Sequence, residues 1–582
     1  MKKLFFYITL LFLITGCQNE SPELIGVKIL TDKETLNPLL EPDVTGNISI
    51  LGIYANGKNE TITDGKIVFN AKTKLASGDV EVIKIEGNKI IPKEGGIGTI
   101  EAVVLKDGKT FKDEKDIVVR PFYREYHKTL VLKLWMGMDD VPKGDQWEYI
   151  TGGSDSNDPS RMCSFKEALE VIRKTDNLTR EIPKIIYLEG WEKGGFDGLC
   201  PAWNIVNPKL KREEDSTALE SLRWLIRKAK QYNTTVSLHI DMVLARPDSP
   251  LWDEYVKKDI VGRDANGKII LLDGFPNSKV NHLSYTREWE EGMTQRRIDQ
   301  LIEMIPELKD GHTIHVDNLI TYWKPENRPL SPWHAKPENG GIDMYKETET
   351  IRKIFKYWRE KGFDVTGEGI LWAHPPGEGF YGLQGYSWWA RGTEHSMKVP
   401  ERLSARGATA RAKDLRGVKM GDYRVGSSMH GEDIWLKDKE NLTGFLEQFC
   451  TMTLPWYYLS QHERIALIHG IVYYSDGLIA GEIDGKKTIK KGDYVLVEND
   501  NVFVEAKWKD MEIIAYSKEG YSNKKWEMPE SWKGVKRVDL YEITINGLEQ
   551  IESGKKIENG KLELTLRKDE GVSIVPHGFD IH

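Results

Sequence analysis

Two apolar runs carry acids where a buried strand ordinarily carries Val or Ile. HTIHVDNLITYW (312–323) holds His315 and Asp317, and SLHIDMVL (237–244) holds His239 and Asp241. Glu189 in PKIIYLEGW (183–191) and Glu368 in DVTGEGILW (364–372) repeat the arrangement. Side chains alternate across a strand, so His239 faces the same way as Asp241, and His315 the same way as Asp317. A single acid at a strand end can pair with a loop arginine or cap the next helix. Four gathered at one rim repel one another, and such clusters mark places where the charge is used.

Two chemistries would use them. Mixed His and carboxylate groups can bind a divalent cation, but a two-residue step sets His and Asp about 7 Å apart along a strand. No HxH or HxxxH element accompanies them, so neither a metal nor another cofactor is expected. The second chemistry is glycoside hydrolysis, in which a pair of carboxyls flanks an oxocarbenium-like transition state. The aromatic surroundings suit a sugar ring, whose C–H faces stack on indoles and phenols. Trp191, Trp203, Tyr322, Trp323, Trp372, Trp388 and Trp389 all fall in or just after the acid-bearing and neighbouring strand ends. Glu189, His239, His315 and Asp241 are expected to line the same cleft.

The elements that must position these groups are legible as alternation. LVLKLWMGM (130–138), PKIIYLEGW, TVSLHIDMVL (235–244), HTIHVDNLI and DVTGEGILW read as strands. GYSWWA (385–390), DYRVGSSM (422–429) and PWYYLS (455–460) are further candidates, about eight in all. Between them lie amphipathic helices. One face carries Leu219, Leu222, Leu225, Ile226 and Ala229 behind a Thr217/Glu220 capping box; others carry Ile298, Leu301, Ile302 and Ile305, or Ile351, Ile354, Phe355 and Trp358. Apolar strands alternating with such helices build parallel βαβ units, and about eight over roughly 340 residues imply a (β/α)8 barrel. The strand C-termini then form the floor of one cleft. A doubly wound sheet is the alternative, but no Gly-rich phosphate loop follows the first strand.

The flanks are all-β. Short strands punctuated by Asn-Gly, Asp-Gly and Gly-Gly turns fill residues 25–121, and the same texture returns over 475–582. The expected organisation is therefore a β-sandwich at 25–121, the barrel at 122–474 and a second sandwich at 475–582. With 582 residues, 39% hydrophobic and 30% charged, the chain suits a multidomain globular protein rather than a disordered one. A net charge of −8 with no basic cluster excludes a nucleic-acid footprint. Trp, at 18 copies, is the compositional outlier, in keeping with stacking surfaces beyond core filling.

Residues 1–16 read as a signal peptide: MKK, then the apolar LFFYITLLFLITG, too short to span a bilayer. ITGC resembles a bacterial lipobox, which implies cleavage before Cys17, lipid on its thiol and a tether over 17–24. Losing Lys2 and Lys3 takes the charge from −8 to −10. Attachment to the outer membrane is expected, facing the cell surface, with the periplasmic face as the alternative. Cys163, Cys200 and Cys450 are too scattered for a disulfide framework and are expected as free buried thiols, with a single disulfide as the alternative.

The block GWEKGGFDGLCPAWNIVNPKLKREEDSTALESLRWLIRKAKQYNTTVSLHIDM (190–242), with HVDNL and VTGEGILW, resembles the barrels of glycoside hydrolase family 129 and its relative family 101. VEVIKIEGNKIIPKEGGIGTIEAVV (80–104) resembles a bacterial immunoglobulin-like domain of the group 2 type. The first resemblance implies retaining cleavage of α-linked N-acetylgalactosamine from an oligosaccharide or O-glycoprotein. By it, Asp317 corresponds to the nucleophile and Glu368 to the general acid/base. It also makes Asp197 and Asp241 hydroxyl-binding acids and Trp203 a ring-contacting aromatic. Asp317 would need donors to stay ionised, with His315 or Asn318 placed to supply one. Glu368 would need apolar neighbours such as Ile370 and Trp372 to hold its proton. The competing readings are an α-galactosidase on the same scaffold and a surface lipoprotein that binds glycans without cleaving them.

Overall fold

A computed structural model describes residues 23–57, 59–73, 80–138, 162–274, 278–323, 328–368, 380, 382–387, 422–426, 438–462 and 464–580. The signal segment, Cys17 and most of its tether lie outside the described residues, as do Ile370, Trp372, Trp388 and Trp389. For Tyr322 and Trp323 only the backbone is described.

The centre is a six-stranded sheet whose strands follow sequence order, every neighbouring pair parallel. They are β1 (Leu130–Trp135), β2 (Lys184–Glu189), β3 (Thr234–Asp241), β4 (Thr313–Asp317), β5 (Asp364–Gly367) and β6 (Gln384–Ser387). Helices α1 (Phe165–Leu178), α2 (Ala218–Ala229), α3 (Met293–Met304) and α4 (Met344–Glu360) alternate with the first five strands. Thr217 and Glu220 form a reciprocal capping box on α2, and Ser164 and Glu167 do the same on α1. The striped faces of α2, α3 and α4 pack inward, with Leu219 the one partly buried member of its stripe.

Each strand divides its residues between two environments. Leu130, Leu132 and Leu134, Ile186 and Leu188, Val236 and Leu238, and Ile314 and Val316 join the large core beneath the helices. The alternate positions face the concave side, where Val131, Ile185, Tyr187 and Tyr386 form a separate small cluster with Tyr126. The sheet is strongly curled. β1 and β5 stand four strand spacings apart, about 19 Å if flat, yet Lys133 of β1 reaches within 2.7 Å of Glu368 beyond β5.

Tyr126 enters the concave side from below. Its hydroxyl meets Thr313 Oγ1 at 2.8 Å, and its ring lies against Gly385 of β6, where a Cβ would come within 2.4 Å. The Asp364 carboxylate accepts from the Tyr123 and Arg124 backbone N–H groups at 2.9 and 3.1 Å, so the segment before β1 is fastened to the base of β5.

Before this segment, two sheets enclose one core that includes Ile29, Ile48, Ile50 and Ile90 from one sheet and Ile100, Val104, Ile117 and Val119 from the other. After the central sheet comes a ten-stranded sheet, antiparallel throughout, that begins at Arg464, ahead of position 475. A two-stranded ribbon covers part of it, with Trp526 stacked on Phe503 at 5.1 Å between ring centroids. PWYYLS, expected as a strand, lies in a helix, Leu454–Leu459, with Pro455 in its first turn. Every side chain of that helix is buried, so the run has no periodicity to separate helix from strand. The described part of DYRVGSSM, Asp422–Gly426, is a turn held by Asp422 against Arg424, and Gly426 takes a φ of +69°. Cys163, Cys200 and Cys450 are free and buried, as expected. No helix among the described residues is long and apolar enough to cross a membrane.

Candidate active site

Parallel register sets the acids in rows. Asp241 pairs with Asp317 across β3 and β4, His239 with His315, and Val316 with Gly367, which brings Glu368 up beside Asp317. Glu189 ends β2, and Asp197 arrives from the loop after it, in a left-handed conformation at φ +55°. All of these side chains are buried.

Lys133 organises one half of the cluster. Its ammonium lies 2.7 Å from Glu368 Oε1 and 3.0 Å from Glu189 Oε1. His315 places Nε2 3.3 Å from Glu368 Oε1 and shares a hydrogen bond with Thr366 through Nδ1 at 2.9 Å. Burial alone would push the Glu368 carboxyl up, but Lys133 and His315 overcome it and hold Glu368 well below the usual carboxylate range. This reverses the expectation that Glu368 holds its proton at rest.

Asp317 sits in the opposite field. Burial, and then repulsion from a Glu368 carboxylate near enough to share a hydrogen bond, push it up to about 7. Its donors come from Asn318, through the backbone N–H at 2.8 Å and the side-chain amide at 3.3 Å. Asn318 thus takes the role expected of it or of His315, while His315 serves Glu368. His239 stands between Glu189 and Asp317 at 3.2 and 3.4 Å, with neither ring nitrogen directed well enough for a hydrogen bond. Burial and the charge of Lys133 lower His239 to about 4 and His315 to about 3, so both imidazoles are neutral at pH 7.

Asp197, Asp241 and Asp317 offer carboxylate oxygens within 4.8 Å of one another. Asp241 Oδ1 is already taken by the N–H groups of Val243 and Leu244 at 2.8 and 2.6 Å, and its Oδ2 by the Asn318 amide at 3.2 Å. Burial, then the neighbouring acids, push Asp241 up to about 7 and Asp197 well above its ordinary value. Acids this close share protons rather than all ionise. A group that both donates and accepts is what sugar hydroxyls require. An acid cluster is not by itself a metal site, and none is assigned.

Of the aromatics expected to contact a ring, Trp191 is excluded: it is fully buried and donates its indole N–H to the His239 carbonyl at 3.0 Å. Glu189 serves Lys133 and His239. Trp203 is buried with the Arg297 guanidinium 4.1 Å over its ring, and its own N–H has no partner among the described residues. Sequence reasoning missed Phe196 and Trp135. Ring contacts of 5.6, 5.3 and 5.2 Å run from Trp135 through Phe196 and His239 to His315, and Phe196 is partly exposed. It also missed Lys133, although a lysine two positions from Val131 in LVLKLW was a signal of the same kind as His239 beside Asp241.

No family model and no curated protein matches the chain. Glycoside hydrolases are among the solved structures that resemble it. The α-N-acetylgalactosaminidase NagBb from Bifidobacterium bifidum, ligand free, is 10% identical with a TM-score of 0.41, covering 80% of this chain and 93% of that one. An Anoxybacillus α-amylase is 11% identical at 0.36, over 78% of this chain and 100% of that one. The α-galactosidase TtGalA from Thermus thermophilus is 13% identical at 0.29, over 53% and 58%. These likenesses are too loose for any residue of theirs to be laid on one of this chain's.

Proposed function

We propose that the chain is a retaining glycoside hydrolase acting on α-linked N-acetylgalactosamine or a related α-galactosyl glycan, with the curled sheet forming a (β/α)8 barrel. The observation that carries this is the meeting of Asp317 and Glu368, buried and in hydrogen-bonding reach, at the C-terminal ends of adjacent parallel strands. In the reaction the Asp317 carboxylate attacks the anomeric carbon while Glu368 protonates the departing oxygen. Glu368 then takes a proton from water, whose oxygen attacks the anomeric carbon from the face the leaving group vacated, opposite Asp317, and releases the Asp317 carboxylate. Asp197 and Asp241 hold sugar hydroxyls, and Trp203 contributes to the wall behind the ring. A binding protein needs no second carboxyl in contact with the first. Lipid on Cys17 and display at the cell surface belong to the same proposal.

p-Nitrophenyl α-N-acetylgalactosaminide and p-nitrophenyl α-galactoside, assayed side by side, test it. Release from the first is expected, with the α-anomer as the first product seen by proton NMR. Preference for the second would make the chain an α-galactosidase. Release from neither, or a β-anomer first, would overturn the reading.

A further inference from the structure

Resting on that reading, we propose that Lys133 is a positioning residue that decides which of the two carboxyls holds their shared proton, by moving its ammonium between Glu368 and Glu189. The geometry is that of a cation with two seats. Lys133 is buried on β1, 2.7 Å from one carboxylate and 3.0 Å from the other, so a small shift exchanges its stronger partner. Asp317 and Glu368 follow directly on the paired residues Val316 and Gly367 of adjacent strands, near enough for one carboxyl to hydrogen-bond the other, which gives the proton a direct path.

Lys133 sits closer to Glu368, which it favours as the anion, while burial beside that charge favours the proton on Asp317. That is the wrong arrangement for the first chemical step, which needs an ionised Asp317 and a protonated Glu368. Among the described residues the titratable groups that act on Glu368 include Lys133 from β1, His239 from β3, and His315 and Asp317 from β4, with Glu189 of β2 on the far side of the Lys133 ammonium. Both histidines are neutral at pH 7, so Lys133 supplies the positive charge among them. When a glycoside enters, its hydroxyl donors and the positive charge growing at the anomeric carbon favour the Asp317 anion. The proton leaves an Asp317 oxygen for a Glu368 oxygen, and Glu189 takes up the ammonium. Net charge is unchanged and no other reactant is needed. After water is split the proton returns by the same path. Glu189, expected among the substrate-binding groups, acts instead as the second seat.

The test compares pH profiles of kcat/KM for wild type, Lys133→Met and Lys133→Arg. Losing the cation destabilises the deprotonated pair, so both limbs of the Lys133→Met profile should move up by about one pH unit or more. Lys133→Arg should leave them in place. Limbs that stay put in Lys133→Met while activity falls would reduce Lys133 to a structural part and overturn the proposal. Glu189→Gln supplies a second readout. It strands the ammonium on Glu368, so cleavage of glycosides with poor leaving groups should drop about tenfold or more, and that of dinitrophenyl glycosides much less. Equal losses on both would also overturn it. Should the wild type cleave no glycoside at all, the hydrolase reading fails, and the proton is then followed by infrared spectroscopy. At pH 6 a protonated-carboxyl band must vanish in Asp317→Asn, and a Glu368 band must appear in Lys133→Met. Absence of either overturns the two-seat arrangement.

Discussion

Asp317→Asn should lose turnover by several orders of magnitude on every substrate, because the amide cannot form the glycosyl ester. Glu368→Gln should remain active on aryl glycosides whose leaving group departs without a proton, while failing on natural glycans; an equal loss on both would reverse the roles. The raised carboxyls also make a stability prediction. Asp241, held at about 7 when folded, has an ordinary value near 3.9 when unfolded. A carboxyl raised in this way favours the fold below its unfolded value, and that contribution is lost as pH rises through the folded one. Asp241→Asn keeps an oxygen for the Val243 and Leu244 N–H groups and cannot ionise, at the loss of the acceptor for the Asn318 amide. Its melting temperature should exceed the wild type's at pH 8 by about 5 °C, the gap narrowing steadily toward pH 4. The rows of acids were legible because alternation is a property of one strand. The charge state of Glu368 was not, because Lys133 lies four strands away in order and meets it only once the sheet curls.

At the scale of elements, capping and striping placed the helices well, since α2 and α4 carry their signals within a single turn-by-turn repeat. Runs without periodicity, such as PWYYLS, gave no such purchase. The site's aromatic wall depends on a clamp that no local pattern announces. Arg297 of α3 lies over Trp203, donates to the Pro201 carbonyl at 2.8 Å, and pairs with Glu288 at 2.7 Å, both partners fully buried. It joins the loop of Asp197 and Trp203 to α3. Arg297→Met strands a buried carboxylate and should cost about 3–5 kcal/mol in a denaturant melt. The double variant with Glu288→Gln, which removes the charge while still bonding the buried Tyr255 and Thr294 hydroxyls, should recover most of that. If the double variant is no more stable than the single one, the pair is not what holds the loop.

For the molecule as a whole, the two flanks relate differently to the centre. The core of the first sandwich is a cluster of its own, whereas one continuous core runs from the central sheet into the C-terminal one. Across that second junction Arg180 and Glu512 pair at 2.7 Å out of water, and Ser573 donates to the same carboxylate at 2.7 Å. Removing residues 1–119 should therefore leave a folded remainder whose melting temperature stays within a few degrees of the full chain, about the effect of 1 kcal/mol. Ending the chain at 463 should give aggregated protein. Circular dichroism melts of the two truncations check both. The β-rich flanks could be seen in the sequence through their turn residues, but this asymmetry could not, because it depends on which faces meet.

Tyr126, lodged beneath the concave face, has a consequence for how the protein is made. On the ribosome it emerges before any of the six strands whose concave face will receive it, so the peg is made before its socket. A circularly permuted gene that moved residues 121–128 behind β6 would have to fit that phenol beneath a sheet already curled.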